Sequence, residues 1–309
     1  MVNSKGSLQL LKELARAGDQ SKGRAIVALW LGATCIGFAP IFFRWSDVGP
    51  AASAFYRILL AGPVLLLVLC KSQPMEWTSL SKERGYFFAA GFFFAADLAL
   101  WHWSLLYTSV AKSTLLTNLA PLLVIAVARF WFKEAIHGTL LLGFAIAFAG
   151  TYFLVRTPTV GYSESLRGDL LAIFTAFFYA GYLLAIKKLR AQFPGAVVLA
   201  LSGLVACPLL LLAALAAGEQ IIPQSASSWM ALLGLAVVSH LAGQGLIVYA
   251  LAHLQAGYSA ITLIWQPVVA AALAASLLQE SLTLVQVVGG IFVLLGIIIA
   301  QRSPSRSQN

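Results

Sequence analysis

Stretches of about twenty residues with almost no charge recur along the whole chain, and nothing else limits its fold as strongly. A helix that crosses a bilayer needs roughly 20 mostly apolar residues. Such windows fall at 25–43, 51–70, 86–107, 110–132, 138–155, 169–186, 196–217, 229–252, 257–279 and 282–300. They are apolar all round instead of alternating, so they read as helices and not as strands of a membrane barrel. Only 10% of the 309 residues are charged and 60% are hydrophobic, whereas about a quarter are charged in soluble domains. The expected fold class is an all-α polytopic membrane protein with ten transmembrane helices in a lipid bilayer.

The net charge of +9 invites a nucleic-acid reading, but the placement of the charge excludes it. With ten spans and a cytoplasmic N-terminus, fifteen of the 20 Lys and Arg residues fall on inside segments, among them Lys22, Arg24, Lys82, Arg84, Lys133 and Lys187. Arg44, Lys112, Arg156 and Arg167 fall outside, and Arg57 lies within a span. That bias follows the positive-inside rule and places both termini in the cytoplasm. Residues 1–24 form a cytoplasmic N-terminal segment, either an interfacial helix carrying Leu8 and Leu11 or a disordered tail. No cleavable signal precedes the first span. Cys35, Cys70 and Cys207 show no paired spacing, so neither a disulfide framework nor a metal site is expected.

A shift of 146 residues lays the second half on the first. Pro121 falls on Pro267, Glu134 on Glu280, Gly143 on Gly289 and Gly150 on Gly296, while Pro63 meets Pro208 at a shift of 145. The chain reads as a duplicated five-helix unit: repeats at 25–155 and 168–300, a linker at 156–167 and a cytoplasmic tail at 301–309. Five is odd, so the copies enter the membrane from opposite sides, the inverted-topology repeat of many secondary transporters.

Pro121 and Pro267 lack an N–H and free the carbonyls of Thr117 and Leu263, which bends each helix. Membrane helices tolerate this where neighbours or a cavity satisfy the freed group, so each proline is a packing kink or a cavity hinge. Glu134 and Glu280 each close a span just before the next one. There a carboxylate meets the N–H groups and positive end of the following helix, worth about 0.3–1 kcal/mol. That structural role is expected ahead of proton coupling.

These features together resemble the EamA-type transporters of the drug/metabolite transporter superfamily. "LWHWSLLYTSVAKSTLLTNLAP" in the first half and "IVYALAHLQAGYSAITLIWQP" in the second resemble the family's approach to the fourth helix of a repeat, and "FYRILLAGP" looks like its second helix. The resemblance covers about residues 25 to 300. It implies a secondary transporter or exporter of small metabolites, often amino acids, with a central cavity between the halves and a place in the bacterial inner membrane. No cofactor is implied.

Candidate substrate contacts follow from polar groups at membrane depth. A charged Asp97 at a helix centre costs about 2.5–3.5 kcal/mol unless it faces a cavity or partner. Trp101, Ser104 and Thr108 extend its stripe, so Asp97 is a substrate or proton site, or the heart of a buried polar network. His102 lies on another face and is expected to bond a neighbouring helix. Arg57 can clamp a carboxylate with its planar fork, or snorkel, or pair with a carbonyl. His240 and Gln244, four apart, can line the cavity from the second half. Trp30 and Thr34, Tyr179 and Tyr182 stripe the first helix of each half, and the kinked helices add Thr117, Asn118, Trp265 and Gln266. Aromatic faces among hydroxyl and amide groups suit an amphipathic solute with a flat apolar body, with a lean towards aromatic amino acids. Another metabolite or a drug-like solute is the alternative cargo.

Gly143 and Gly150, like Gly289 and Gly296, return to one helix face every seven residues and form a groove for close approach. Contact between the halves is expected there, and a homodimer seam is the alternative. A membrane-embedded enzyme would need a set such as HExxH or paired aspartates. His102, His240 and His253 are scattered, and no Walker A motif is present.

Overall fold

The computed structural model describes residues 4–71, 77–107, 113, 116–155, 165–277 and 283–302. Among them every regular element is a helix. The first half contains α1 (Ser4–Gly37), α2 (Ala39–Trp45), α3 (Pro50–Leu59), α4 (Gly62–Lys71), α5 (Trp77–Lys82), α6 (Arg84–Tyr107), α7 (Ala120–Trp131) and α8 (Gly138–Val155). The second contains α9 (Leu166–Arg190), α10 (Gly195–Ala216), α11 (Ala226–Gly234), a π-helix (Leu235–Gln244), α12 (Gly245–Leu251), α13 (Ala256–Thr262), α14 (Trp265–Leu277) and α15 (Leu284–Gln301).

The expectation of ten spans meets seven stretches long and apolar enough to cross a membrane: Gln20–Trp45, Pro50–Lys71, Leu166–Arg190, Gly195–Ala216, Ala226–Leu251, Ala256–Leu277 and Leu284–Gln301. Ala120–Trp131 and Gly138–Leu154 are apolar but shorter. The 24-residue α6 is long enough, but Asp97, His102, Trp101 and Trp103 dilute its apolar run. The chain is thus an all-helical, multi-pass membrane protein. The N-terminal segment differs from expectation: α1 passes from Ser4 to Gly37 with no break near residue 24.

Prolines account for most interruptions, because each removes a helical donor and crowds the preceding turn. Pro40 follows the break between α1 and α2, and Pro63 follows the break between α3 and α4. Turns at 118–119 and 263–264 precede Pro121 and Pro267 in the same way. Pro208 is the exception and sits inside an unbroken α10. Polar caps start three helices: the Ser165 hydroxyl accepts from Arg167 N–H at α9, the Ser225 hydroxyl from Ser228 N–H at α11, and Thr283 and Gln286 form a capping box on α15.

The most extensive helix pairs join one half to the other. The tightest is α8 on α15, followed by α6 on α9 and α10. α3 also packs on α10, α7 on α13, and α1 on the π-helix, α12 and α14. On the α8–α15 seam the glycines of one helix meet the backbone of the other. A Cβ added at Gly150 would lie 2.5 Å from Val293 N, and one at Gly289 2.5 Å from Leu154 N. The glycine faces therefore cover each other within one chain, the contact between halves that their spacing predicts.

Candidate functional site

The core where the halves meet is organised around Phe94 on α6. Tyr182 of α9 stacks on its ring with centroids 4.5 Å apart, and His240 of the π-helix stacks at 5.7 Å. The Arg57 guanidinium of α3 lies over the same ring at 5.8 Å. Three elements from both halves thus converge on one phenylalanine of a fourth. Asp97 is three residues further along α6, on the same face.

The polar groups of this core are poorly satisfied, although buried polar atoms in folded proteins are as a rule hydrogen-bonded. Arg57 is 4% exposed; its Nη2 reaches the Ser239 carbonyl at a long 3.4 Å, and its Nε has no partner. The Tyr182 hydroxyl, both ring nitrogens of His240 and Gln244 Nε2 are also buried without a partner. So are Thr117 Oγ1, Asn118 Nδ2 and Gln266 Nε2, beside the two proline breaks. Ser239, His240 and Gln244 all lie on the π-helix, an uncommon winding that collects at functional sites.

A second cluster abuts the first. Trp30 and Trp265 pack edge to face at 5.4 Å, and Trp265 Nε1 donates to Thr34 Oγ1 at 3.1 Å. Thr34 in turn donates to the Trp30 carbonyl of its own helix at 2.9 Å. Tyr179 stands beside Gln266, as Tyr182 stands beside Gln244.

Two readings change. Among the described residues His102 bonds its own helix and no neighbouring one: its Nδ1 lies 2.7 Å from the Leu98 carbonyl of α6, and its ring packs on Phe43 and Trp101. Trp101 thereby rests on His102. Glu134 does not cap the following helix, α8. It crosses to the other half, where its carboxylate accepts from Ala256 N at 2.9 Å and Gly257 N at 3.3 Å at the start of α13. The chain turns towards that helix through Lys133, whose φ of 54° is left-handed. Glu280 and Thr108 lie outside the described residues.

Glu134 belongs to a set of bonds at one end of the bundle. Lys187, within electrostatic reach of Glu134, donates to the Leu254 carbonyl at 2.5 Å, and Arg190 Nε donates to Val248 O at 3.0 Å. Gln192 ties the same end to Glu83, just before α6, at 3.1 Å. The far end of α6 carries a second set that sequence reading missed. There Trp103 Nε1 donates to Glu219 Oε1 at 2.8 Å, and Ala52 N of α3 donates to Glu219 Oε2 at 2.9 Å. Glu219 follows α10, so this carboxylate also crosses between halves, in the opposite sense. Nothing in its local sequence marks it.

Asp47, between α2 and α3, completes that end by accepting from Ser225 Oγ at 2.9 Å and Gln224 N at 3.1 Å. Hydrogen bonds with Ser228, Ser225 and the Gln224 amide hold its carboxyl below the ordinary aspartate value of 3.8. A folded-state pKa that is depressed favours the folded chain above the unfolded pKa, and this advantage fades as pH falls through the folded value. We expect the thermal midpoint in detergent to fall on acidification below pH 3.8, and an Asp47→Asn variant to lose that part of the pH dependence. Parallel curves for the two proteins would contradict the assignment.

Among the described residues no three His, Cys, Asp or Glu side chains gather in a way that could hold a metal ion. The core itself brings together one cation, one carboxylate, imidazole, amide and phenol groups, and aromatic walls.

Comparison with known proteins agrees with this architecture. The family model of the EamA-like transporter family matches residues 23–156 and again 166–301. A protein from Archaeoglobus fulgidus described as an uncharacterized transporter is 25% identical over 293 residues, 90% of this chain and 96% of its own. A probable amino-acid metabolite efflux pump from Salmonella typhimurium is 30% identical over 183 residues, 56% of this chain and 61% of that protein. Shorter matches span 48% and 42% of two further uncharacterized transporters. One solved crystal structure superposes with a TM-score of 0.72 over 92% of this chain and 99% of its own, at 17% identity, a likeness of fold alone.

Proposed function

Because the chain belongs to the EamA-like transporter family, we propose that it is a secondary transporter, in the export direction, of small metabolites of the amino-acid type, with aromatic amino acids favoured. The observation that carries this reading is the buried core in which Arg57, Tyr182, His240 and Gln244 hold polar atoms without partners. Such groups cost folding free energy unless something else occupies the site with them. Both halves supply them, as alternating access between two repeats requires. The printed description of the Salmonella relative, an amino-acid metabolite efflux pump, points to the same cargo class. Aromatic walls at Phe94, Tyr182, Trp30 and Trp265 favour a flat apolar body.

Ten helices in two inverted five-helix repeats, divided near residues 155 and 168, complete this reading. The packing supports it, since the pairing of α6 with α9 has its counterpart at the repeat offset in α1 with the π-helix and α12. The charge-derived topology is supported too. Lys187, Glu134 and Ala256, all assigned to the cytoplasmic side, meet at one end, while Asp47, Glu219 and Gln224 share the other. On this topology both termini are cytoplasmic, in a bacterial inner membrane.

The test is uptake of labelled amino acids into proteoliposomes of the purified protein. Saturable uptake of Phe, Tyr or Trp, competed by unlabelled analogue, is expected. Gln244→Leu should cut it about tenfold or more, because a carboxamide in a buried polar site contributes on the order of 1.5 kcal/mol. Absence of uptake for every amino acid would refute the cargo class.

A further inference from the structure

Arg57 and Asp97 make the most expensive feature of the core. Both are buried, at 4% and 7% exposure, on different helices of the first half. Each lies within electrostatic range of the other, yet no ion pair joins them among the described residues. The guanidinium is held by one long bond to the Ser239 carbonyl and by the Phe94 face, with Nε idle. Taking two opposite charges out of water costs several kcal/mol per ion, and their attraction offsets it only when the geometry is good. Two buried charges left unjoined make a poor structural ion pair. They suit a site that a third, bipolar group completes.

We infer that the core binds its cargo as a zwitterion, with Arg57 taking the carboxylate, Asp97 taking the ammonium group, and the stacked Phe94–Tyr182 pair forming an aromatic wall beside the side chain. The planar guanidinium presents parallel N–H donors that match a carboxylate, and its idle Nε is one of them. The unpartnered Tyr182 hydroxyl and Gln244 Nε2 add neutral donors near the same cation. Asp97, an acceptor only when ionised, matches an ammonium group and rejects a second carboxylate. Binding one zwitterion leaves the net charge of the site unchanged, so neither ion is stranded when the cargo is aboard. This assignment rests on the proposed amino-acid cargo and adds which side chain reads which end of it.

Proteoliposome uptake of labelled phenylalanine, competed by four unlabelled probes, tests it. The probes are phenylalanine, phenylalaninamide (no carboxylate), phenethylamine (no carboxyl group) and 3-phenylpropionate (no ammonium group). Phenylalanine should compete at least about tenfold better than each of the other three, since a hydrogen bond to a charged group is worth that much. This needs no variant and so does not depend on a mutant folding. In Arg57→Gln the advantage over phenylalaninamide should disappear while that over 3-phenylpropionate persists, and in Asp97→Asn the reverse. If phenylalanine is carried but all four probes compete equally, or both variants keep the wild-type ranking, the zwitterion assignment fails and the cargo class stands. If no amino acid is carried, the cargo class and this assignment fail together.

Discussion

Gly296→Ile is expected to abolish the folded protein. The Cβ of any residue here would run into Ala147 N and the Gly143 carbonyl of α8. Those atoms are backbone within a helix, so no rotamer change clears them. In a bilayer, lipid tails are as apolar as the side chains, and close packing of small residues supplies much of the attraction between helices. Separating α8 from α15 would remove that attraction along the tightest pair in the molecule. Inserted methylenes in a deformable core cost about 1–3 kcal/mol, and a rigid backbone contact raises the cost. Size-exclusion chromatography of detergent extracts should show no monodisperse peak for Gly296→Ile and a weakened one for Gly296→Ala. Gly85→Ala and Gly138→Ala, which meet nothing within 4 Å, should leave the peak intact. A wild-type profile for Gly296→Ile would mean that the seam is not close-packed.

The seam shows why some of the architecture could be read in advance. Gly143, Gly150, Gly289 and Gly296 advertise close approach through spacing alone, and the apolar tracts advertise helices through composition. Candidate residues such as Arg57, Tyr182 and His240 are legible because a polar group at membrane depth needs a reason, and these three meet on Phe94. Phe94, their common platform, was missed because it is one of 19 phenylalanines. Its position three residues before Asp97 was the available signal. Trp101 shares a stripe with Asp97, but His102 takes its ring through a local contact that helical periodicity does not reveal. Winding was equally hidden, because nothing in Leu235–Gln244 announces a π-helix. Glu134 was read through its nearest neighbour in sequence, whereas its partner lies 122 positions away. Carboxylates seek helix N-termini, but sequence does not say which helix.

Glu134→Ala is expected to loosen one end of the bundle selectively. Its carboxylate is the partner of two amides at the start of α13, and the wild-type chain holds Lys133 in a left-handed conformation beside it. A non-glycine residue keeps such a conformation only where its surroundings impose it, so the turn and the inter-half bond support each other. Loss of the carboxylate leaves two amides without a protein acceptor and should cost about 2 kcal/mol. That corresponds to about a thirty-fold rise in the population open at this end. Hydrogen exchange at Ala256 and Gly257 should accelerate by that factor, while Ala52 at the opposite end, held by Glu219, should be unaffected. Glu219→Ala should give the mirror result, with Ala52 accelerated and α13 unchanged. Glu134→Gln, which keeps an acceptor without its charge, should fall between wild type and Glu134→Ala. If the halves rock as proposed, the carboxylates at the two ends set which end opens more readily. Their removal should then shift accessibility in opposite directions, and equal acceleration at both ends would mean that they merely hold one bundle together.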